Sequence, residues 1–134
     1  MDDLFDTYFE KMECNSPALE NDIKHVEEIM GISFPRDYVA FMMKADGAEG
    51  SLGENSYLSI WRIEDIAELN NDYEVSEYTP GLVYFGSDGG GIAYAFDMNL
   101  GGCIVEFPFD SIHYEDAKVI GHSFIEFIRC LFNR

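Results

Sequence analysis

Three short apolar runs joined by glycine-rich turns constrain the fold of this chain more than any other feature. The runs cover residues 82–86, 92–96 and 103–107, and the turns between them are DGGG (88–91) and NLGG (99–102). Connections this short join neighbouring antiparallel strands, because a parallel pair needs a crossover of a dozen residues or more. The sequence therefore predicts an antiparallel β-meander in the second half of the chain.

Helical spacing of apolar residues flanks the meander on both sides. Segments 3–12, 22–30 and 35–47 predict three N-terminal helices, the second capped by Asn21 or Asp22 and ended by Gly31. Ser123 and Glu126 form a capping box before an aromatic stripe, which predicts a closing helix packed on the meander. Between these regions we expect a loop at 48–56, a strand at 57–61, a short helix at 63–70 and an acidic loop at 71–80.

These elements together predict an α+β fold, with an antiparallel β-meander packed against N-terminal helices and a C-terminal helix. The length of 134 residues fits one domain, 1–134, and the 47% hydrophobic content supports a real core. We expect the first 16 residues to add an extra helix to that domain.

A strong negative charge limits the possible partners. Twenty-six acidic residues against eight Lys and Arg give a formal net charge of −18. This charge repels phosphate backbones and anionic membranes, so we expect neither nucleic acid nor a membrane as a partner. It favours a basic protein, whose encounter the long-range field accelerates. Solubility alone is the other explanation for such a charge.

The most acidic stretch, residues 64–77, contains no Lys or Arg and interleaves aromatic residues with carboxylates. Such a run is either a solvated face or a contact surface, since aromatic side chains often anchor interfaces. The candidate partner-binding residues here are Glu64, Asp65, Glu68, Asp72, Tyr73, Glu74, Glu77 and Tyr78, and Trp61 just before them is either an anchor or part of the core.

The turn GSDGGG at 86–91 contains more glycine than a two-residue hairpin needs. It is either a tight turn requiring positive φ or a place where a partner backbone approaches closely. We therefore add Asp88, Gly89, Gly90 and the nearby Tyr94 to the candidate partner-binding residues.

Catalytic chemistry has weak support in the sequence. No histidine has a metal-ligand spacing, and the three cysteines, Cys14, Cys103 and Cys130, form no CxxC pair. An enzymatic interpretation would rest on Asp88, Asp97 and Glu106 acting together. We predict a protein that is not an enzyme and has no catalytic residue, metal or cofactor. The scattered thiols and the acidic N-terminus predict a cytoplasmic location.

Four segments in this order resemble one known family: IKHVEEIMGISFPRDYVAFMMKADG (23–47), LSIWRIEDI (58–66), LVYFGSDGGGIAYAFD (82–97) and HSFIEFIRCLF (122–132). The chain is similar in these segments to the SUKH superfamily, also called the Smi/Knr-type cell-wall-assembly-regulator family. The resemblance covers residues 20–132. The matching positions are Pro35, Asp37, Tyr38, Trp61, Gly86, Asp88, Gly89, Gly91, Tyr94 and Asp97.

The resemblance implies an α+β domain without established catalysis. Many bacterial members are immunity proteins that neutralise a toxin, often a nuclease, and fungal relatives act in cell-wall assembly and signalling. We therefore expect a non-catalytic immunity protein that binds a basic, nuclease-type toxin, as a monomer or weak homodimer. The alternative is a regulatory protein related to cell-wall assembly that binds a peptide or small ligand.

Overall fold

The computed structural model describes residues 7–134 and contains a seven-stranded antiparallel sheet. The strands lie side by side in chain order, so each pairs with the next. They are β1 (Met12–Cys14), β2 (Ala48–Leu52), β3 (Ser56–Ile60), β4 (Leu82–Ser87), β5 (Ile92–Asp97), β6 (Cys103–Pro108) and β7 (Lys118–Gly121). The predicted meander of β4, β5 and β6 is confirmed, and the sheet continues beyond it on both sides.

Within the described residues, five α-helices are set before, between and after the strands. They are α1 (Glu20–Met30), α2 (Arg36–Met42), α3 (Ile63–Asp72), α4 (Val75–Tyr78) and α5 (Phe124–Phe132). Two short 3-10 helices, Met98–Leu100 and Tyr114–Asp116, lie in the loops around β6. The α+β fold predicted from the sequence is confirmed.

The main core lies on one face of the sheet, which we call the inner face. Helices α1, α2 and α5 bury their apolar stripes there against residues of β2 to β6. Phe85 and Phe96 stack at 4.3 Å, and Phe127 packs edge-on against Phe85 at 5.6 Å and Tyr94 at 4.9 Å. The predicted packing of the closing helix on the meander is therefore confirmed.

Caps and side-chain hydrogen bonds fix the helices that cover the inner face. The Ser123 hydroxyl accepts a hydrogen bond from the Glu126 N–H at 3.2 Å, as the predicted cap requires. The Asp37 carboxylate accepts from the Ile125 N–H at 3.1 Å and thereby joins α2 to α5. Gly31 ends α1 in the left-handed conformation, as predicted.

The opposite face of the sheet, which we call the outer face, has two unlike halves. Across β4, β5 and β6 it carries a smaller apolar cluster. Across β1, β2 and β3 the outward side chains include Glu13, Glu49, Tyr57 and Ser59, and helices α1, α2 and α5 lie on the other side. Trp61 packs against both apolar clusters.

A side chain of α3 completes the sheet where β3 turns away from β4. These two strands share only two register pairs, Ser59 with Ser87 and Ile60 with Gly86. Beyond them, the buried Asn70 amide accepts from the Tyr84 N–H at 2.8 Å and donates to the Tyr84 carbonyl at 2.9 Å. Asn70 thus takes the place of a strand neighbour and holds α3 beside β4.

Several local predictions were wrong. Segment 48–56 is not a loop: 48–52 forms β2, in which Ala48 and Leu52 point inward. Gly50 lets β1 approach, since a Cβ there would lie 2.9 Å from the Met12 Cα. Of the first predicted helix, 3–12, residues 3–6 lie outside the described residues, Thr7 and Tyr8 are helical as predicted, and Met12 is in a strand.

The remaining differences concern helix ends and β7. Leu19 occupies the N-cap of α1 without a side-chain cap, so the predicted cap at Asn21 or Asp22 was wrong. Segment 71–80 is largely helical, because α3 runs to Asp72 and α4 follows. The last strand, β7, was not predicted, because its four residues carry little β pattern of their own.

Candidate interaction surface

The outer side of β1, β2 and β3 contains a cavity of about 320 Å3 that we call the acidic cleft. Strands β1, β2 and β3 supply its floor, and the start of α3 supplies one wall. The polar and aromatic side chains that line it are Glu13, Asn15, Glu49, Ser59, Trp61, Arg62 and Asp65.

Strand register places two carboxylates of the cleft next to each other. Glu13 and Glu49 are direct partners across β1 and β2. Like charges at directly opposed positions destabilise a sheet, so this pair is unfavourable for folding. Arg62 is the single cation among the described lining residues, and its guanidinium lies 3.8 Å from Glu64. The cleft is therefore net negative.

Tyr57 extends the cleft toward the glycine-rich turn. Its hydroxyl donates to the Glu49 carboxylate, and this hydrogen bond is the main reason that the pKa of Tyr57 is raised; burial and the charges of Glu49 and Glu13 add to it. A Cβ at Gly89 would lie 2.9 Å from the Tyr57 ring, so the turn packs directly on that ring.

The glycine-rich turn is fixed by its own aspartate. The Asp88 carboxylate accepts hydrogen bonds from the N–H groups of Gly90 at 2.8 Å and Ile92 at 3.1 Å. Gly89 has a φ of 79°, which favours glycine. The turn is thus a tight, closed hairpin that lies beside Tyr57, and the close approach of a partner backbone stays a prediction.

An acidic stripe on α3 leads away from the cleft. Asp65, Glu68 and Asp72 follow each other at helical spacing, and Asp65 lines the cleft itself. Tyr73, at the end of the helix, is 44% exposed. Its ring packs on Phe109 at 4.8 Å, so one ring face is fixed against the outer cluster.

The other predicted partner-binding residues lie elsewhere. Glu74, Glu77 and Tyr78 lie on or beside α4, where the charge of Glu74, followed by that of Glu77, raises the pKa of Tyr78. Glu64 is next to Arg62. Tyr94 is only 3% exposed and packs on Phe127 in the main core, so the expectation that it contacts a partner was wrong.

Sequence reasoning missed Glu13, Glu49 and Tyr57. The alternation of Ala48, Glu49, Gly50, Ser51 and Leu52 has the period of a half-buried strand, and that signal could have placed Glu49 on an outer face. The two glycines of segment 48–56, together with its Ser and Glu residues, favoured a loop instead. The position of Glu13 opposite Glu49 depends on strand pairing, which local patterning does not encode.

The three carboxylates of the enzymatic interpretation do not form one group. Asp97 lies at the far end of β5 from Asp88 and accepts from the Tyr114 hydroxyl at 2.5 Å. Glu106 contacts the Arg134 guanidinium at 3.2 Å. Residues 7–134 contain no group of three or more His, Cys, Asp or Glu side chains placed to hold a metal ion.

One further structural finding bears on membranes. Over the described part of the chain, every helix is too short or too polar to cross a membrane.

Most of the sequence matches a known family. The model of the SMI1/KNR4 family (SUKH-1) matches residues 17–130. The chain is also similar to the uncharacterized protein YnaB of Bacillus subtilis (strain 168), with 32% identity over 83 residues. That alignment covers 62% of this chain and 52% of the Bacillus protein, so it spans about half of the curated relative. On the family match, the chain belongs to the SMI1/KNR4 (SUKH-1) family.

Proposed function

We propose that the protein is a non-catalytic immunity protein that binds and blocks a basic toxin of the nuclease type. The observation that carries this proposal is the acidic cleft, where Glu13, Glu49 and Asp65 face one cavity and the lining Arg62 lies beside Glu64. These three carboxylates outnumber Arg62, the one cation among the described lining residues, so the cleft attracts cations from outside.

The charge of the whole chain supports the same proposal. A net charge of −18 surrounds the cleft with a negative field, which accelerates capture of a basic protein. Nuclease toxins need basic surfaces to hold phosphate backbones. A protein that covers such a surface with carboxylates both arrives quickly and competes with the nucleic acid.

Aromatic side chains add stacking surfaces to the charge of the acidic cleft. Trp61 lines the cleft, Tyr57 borders it, and Tyr73 lies at the end of the acidic stripe. An Arg of the partner can stack on an aromatic face while a carboxylate holds its guanidinium. The arrangement therefore favours an arginine-rich surface over a diffuse layer of lysines.

The test begins with the partner that co-purifies from the native host and then compares two charge-matched variants. In the first, Glu13→Gln, Glu49→Gln and Asp65→Asn neutralise the acidic cleft. In the second, Asp110→Asn, Glu115→Gln and Glu126→Gln remove three exposed charges outside it. We expect the first to weaken binding by about 100-fold and the second by less than about threefold. Equal losses would show that the cleft is not the interface.

A second candidate function is the regulatory one, in which the protein binds a peptide or small ligand in cell-wall signalling. A separate apolar cavity on another side of the molecule favours it. A partner whose activity is unchanged by binding would support this candidate over toxin neutralisation.

A further inference from the structure

A cavity of about 540 Å3 lies between the C-terminal end of α1, helices α3 and α4, and the start of β4. We call it the apolar cleft. No charged side chain is among the described residues that line it. Its apolar lining includes Ile29, Met30, Ile32, Val75, Leu82 and Met98. This volume is in the range of real binding pockets.

The apolar cleft is open to solvent and exposes hydrophobic surface. Ile29 is 60% exposed, although it lies at the end of a helix whose other apolar residues Ile23 and Val26 are buried. Two lining residues, Met30 and Met98, are flexible side chains that adapt to different shapes. Beside Ile29, the lining residues Met30 and Met98 are half-buried, and Val75 and Leu82 are buried beneath them. A cavity of this size with an apolar, adaptable lining can take an apolar segment of a partner.

Three carboxylates are neighbours of residues that line this cleft. Glu74 and Glu77 flank the lining residues Val75 and Ser76 on α4, and Glu28 shares a shallow neighbouring depression with Ile32. Lys24, in the same depression, lies 3.1 Å from Glu20 in an ion pair. An occupant with an apolar stripe and flanking positive charges therefore complements both the groove and its rim.

Backbone geometry excludes strand addition as the mode of binding. The outward N–H and carbonyl of Tyr84 are bonded to Asn70, and the Leu82 N–H donates to the Thr79 carbonyl at 3.1 Å. Because these main-chain groups are already hydrogen-bonded, an extended peptide cannot pair with β4 as an added strand. Side chains must supply the contact, and a helix presents apolar side chains at i, i+3, i+4 and i+7 without needing main-chain partners.

We propose that the apolar cleft binds a cationic amphipathic helix of a partner protein. This surface is distinct from the acidic cleft and goes beyond the proposed toxin-binding role. The apolar side chains of the helix fill the groove formed by α1, α3 and α4, and its Lys or Arg residues meet Glu28, Glu74 and Glu77. Asn71 and Ser76 offer polar side chains at the margin.

The test uses a labelled synthetic helix of about 18 residues, built from Leu and Lys at amphipathic spacing. Its controls are a scrambled peptide of the same composition and a version with Glu in place of Lys. We expect the amphipathic peptide to bind the full chain at least about tenfold more tightly than either control. Equal binding of the scrambled peptide would overturn the proposal, because it would indicate charge attraction alone.

Matched variants locate the binding. Ile29→Lys places a positive charge in the groove, whereas Ile112→Lys changes a similarly exposed isoleucine (60% and 53% exposed) outside it. We expect Ile29→Lys to weaken peptide binding by about tenfold and Ile112→Lys by less than about twofold. No difference between the two variants would overturn the proposal.

Methyl NMR of methionine gives a direct readout of the site. We expect the peptide to shift the methyl signals of Met30 and Met98, which line the cleft, and to leave Met43, which is 42% exposed elsewhere, unchanged. Shifts produced by a small apolar molecule but not by the helix would overturn the choice of occupant. Loss of peptide binding in the Glu13→Gln, Glu49→Gln and Asp65→Asn variant would also overturn it, while leaving the acidic cleft intact as a proposal.

Discussion

Alternate residues of strands β2 and β3 point to the inner and the outer face of the sheet, and the two faces have opposite chemistry. Leu52, Leu58 and Ile60 point inward and are at most 3% exposed. Glu49 on β2 and Tyr57 on β3 point outward; Glu49 lines the acidic cleft and Tyr57 lies beside it. One face therefore stabilises the fold, while the other is free to carry charges that do not.

The comparison shows how a domain can carry an unfavourable surface. Glu13 opposite Glu49 costs the sheet stability, because their charges repel and the Arg62 guanidinium is beside Glu64. The aromatic packing of the inner face is extensive enough to tolerate this cost. A basic partner that neutralises the pair would recover it on binding.

The largest expected effect comes from breaking the inner face. Phe127 is fully buried against Phe85 and Tyr94, so Phe127→Ala leaves a cavity and should lower the free energy of unfolding by about 3–5 kcal/mol. Tyr57→Ala on the outer face, where the ring is 41% exposed, should cost about 1 kcal/mol or less. Denaturant unfolding measures both, and similar losses would contradict the division between the faces.

The next effect concerns the junction at which β3 leaves β4. Asn70→Ala removes the side chain that pairs with both main-chain groups of Tyr84, and buried unpaired groups should cost about 2–4 kcal/mol. Its neighbour Asn71 is exposed, so Asn71→Ala is the matched control and should cost about 0.5 kcal/mol or less. If the Asn70→Ala protein were as stable as this control, the hydrogen bonds between Asn70 and Tyr84 would not be what holds α3 beside β4.

Alkaline pH should affect the two faces alike. Burial is the main cause that raises the pKa of Tyr84, on the outer cluster, and of Tyr94, on the inner face, to about 12. An unfolded tyrosine ionises near pH 10, so the stabilisation is complete below about pH 10 and is lost between about pH 10 and 12.

Each of these two tyrosines should therefore make the free energy of unfolding fall by about 1 kcal/mol more per pH unit in that range. Tyr84→Phe and Tyr94→Phe should each flatten the decline by that amount, as measured by denaturant unfolding at several alkaline pH values. A decline that neither variant changes would show that other groups cause it.

The strongest local patterns predicted the fold best. The glycine turns around β5 and the N-cap at Ser123 each depend on neighbours in sequence, and both are confirmed. Strands β1 and β7 were missed because each has only three or four residues and depends on pairing with a partner strand. Segment 48–56 was misread because glycine is unfavourable in strands, and the requirement for Gly50 arises only from the approach of β1.

The candidate surface was predictable in part, for the same reason. Trp61 and Asp65 were predicted from aromatic and acidic composition, and both line the acidic cleft. Glu13 joins them only through the register of β1 on β2, which brings together residues 36 positions apart, Glu13 and Glu49. Tyr94 was misassigned because alternation along β5 gave its side chain to the inner face, and sequence alone did not say which face carried the main core.

The salt dependence of the association rate with the native partner tests the central claim most directly. Between about 20 mM and 500 mM salt, we predict that the rate for the natural protein falls by at least about tenfold. We predict that this dependence weakens more in the Glu13→Gln, Glu49→Gln and Asp65→Asn variant than in the Asp110→Asn, Glu115→Gln and Glu126→Gln variant, although both lose three charges. A rate that does not change with salt, or that responds equally in both variants, would contradict capture through the acidic cleft.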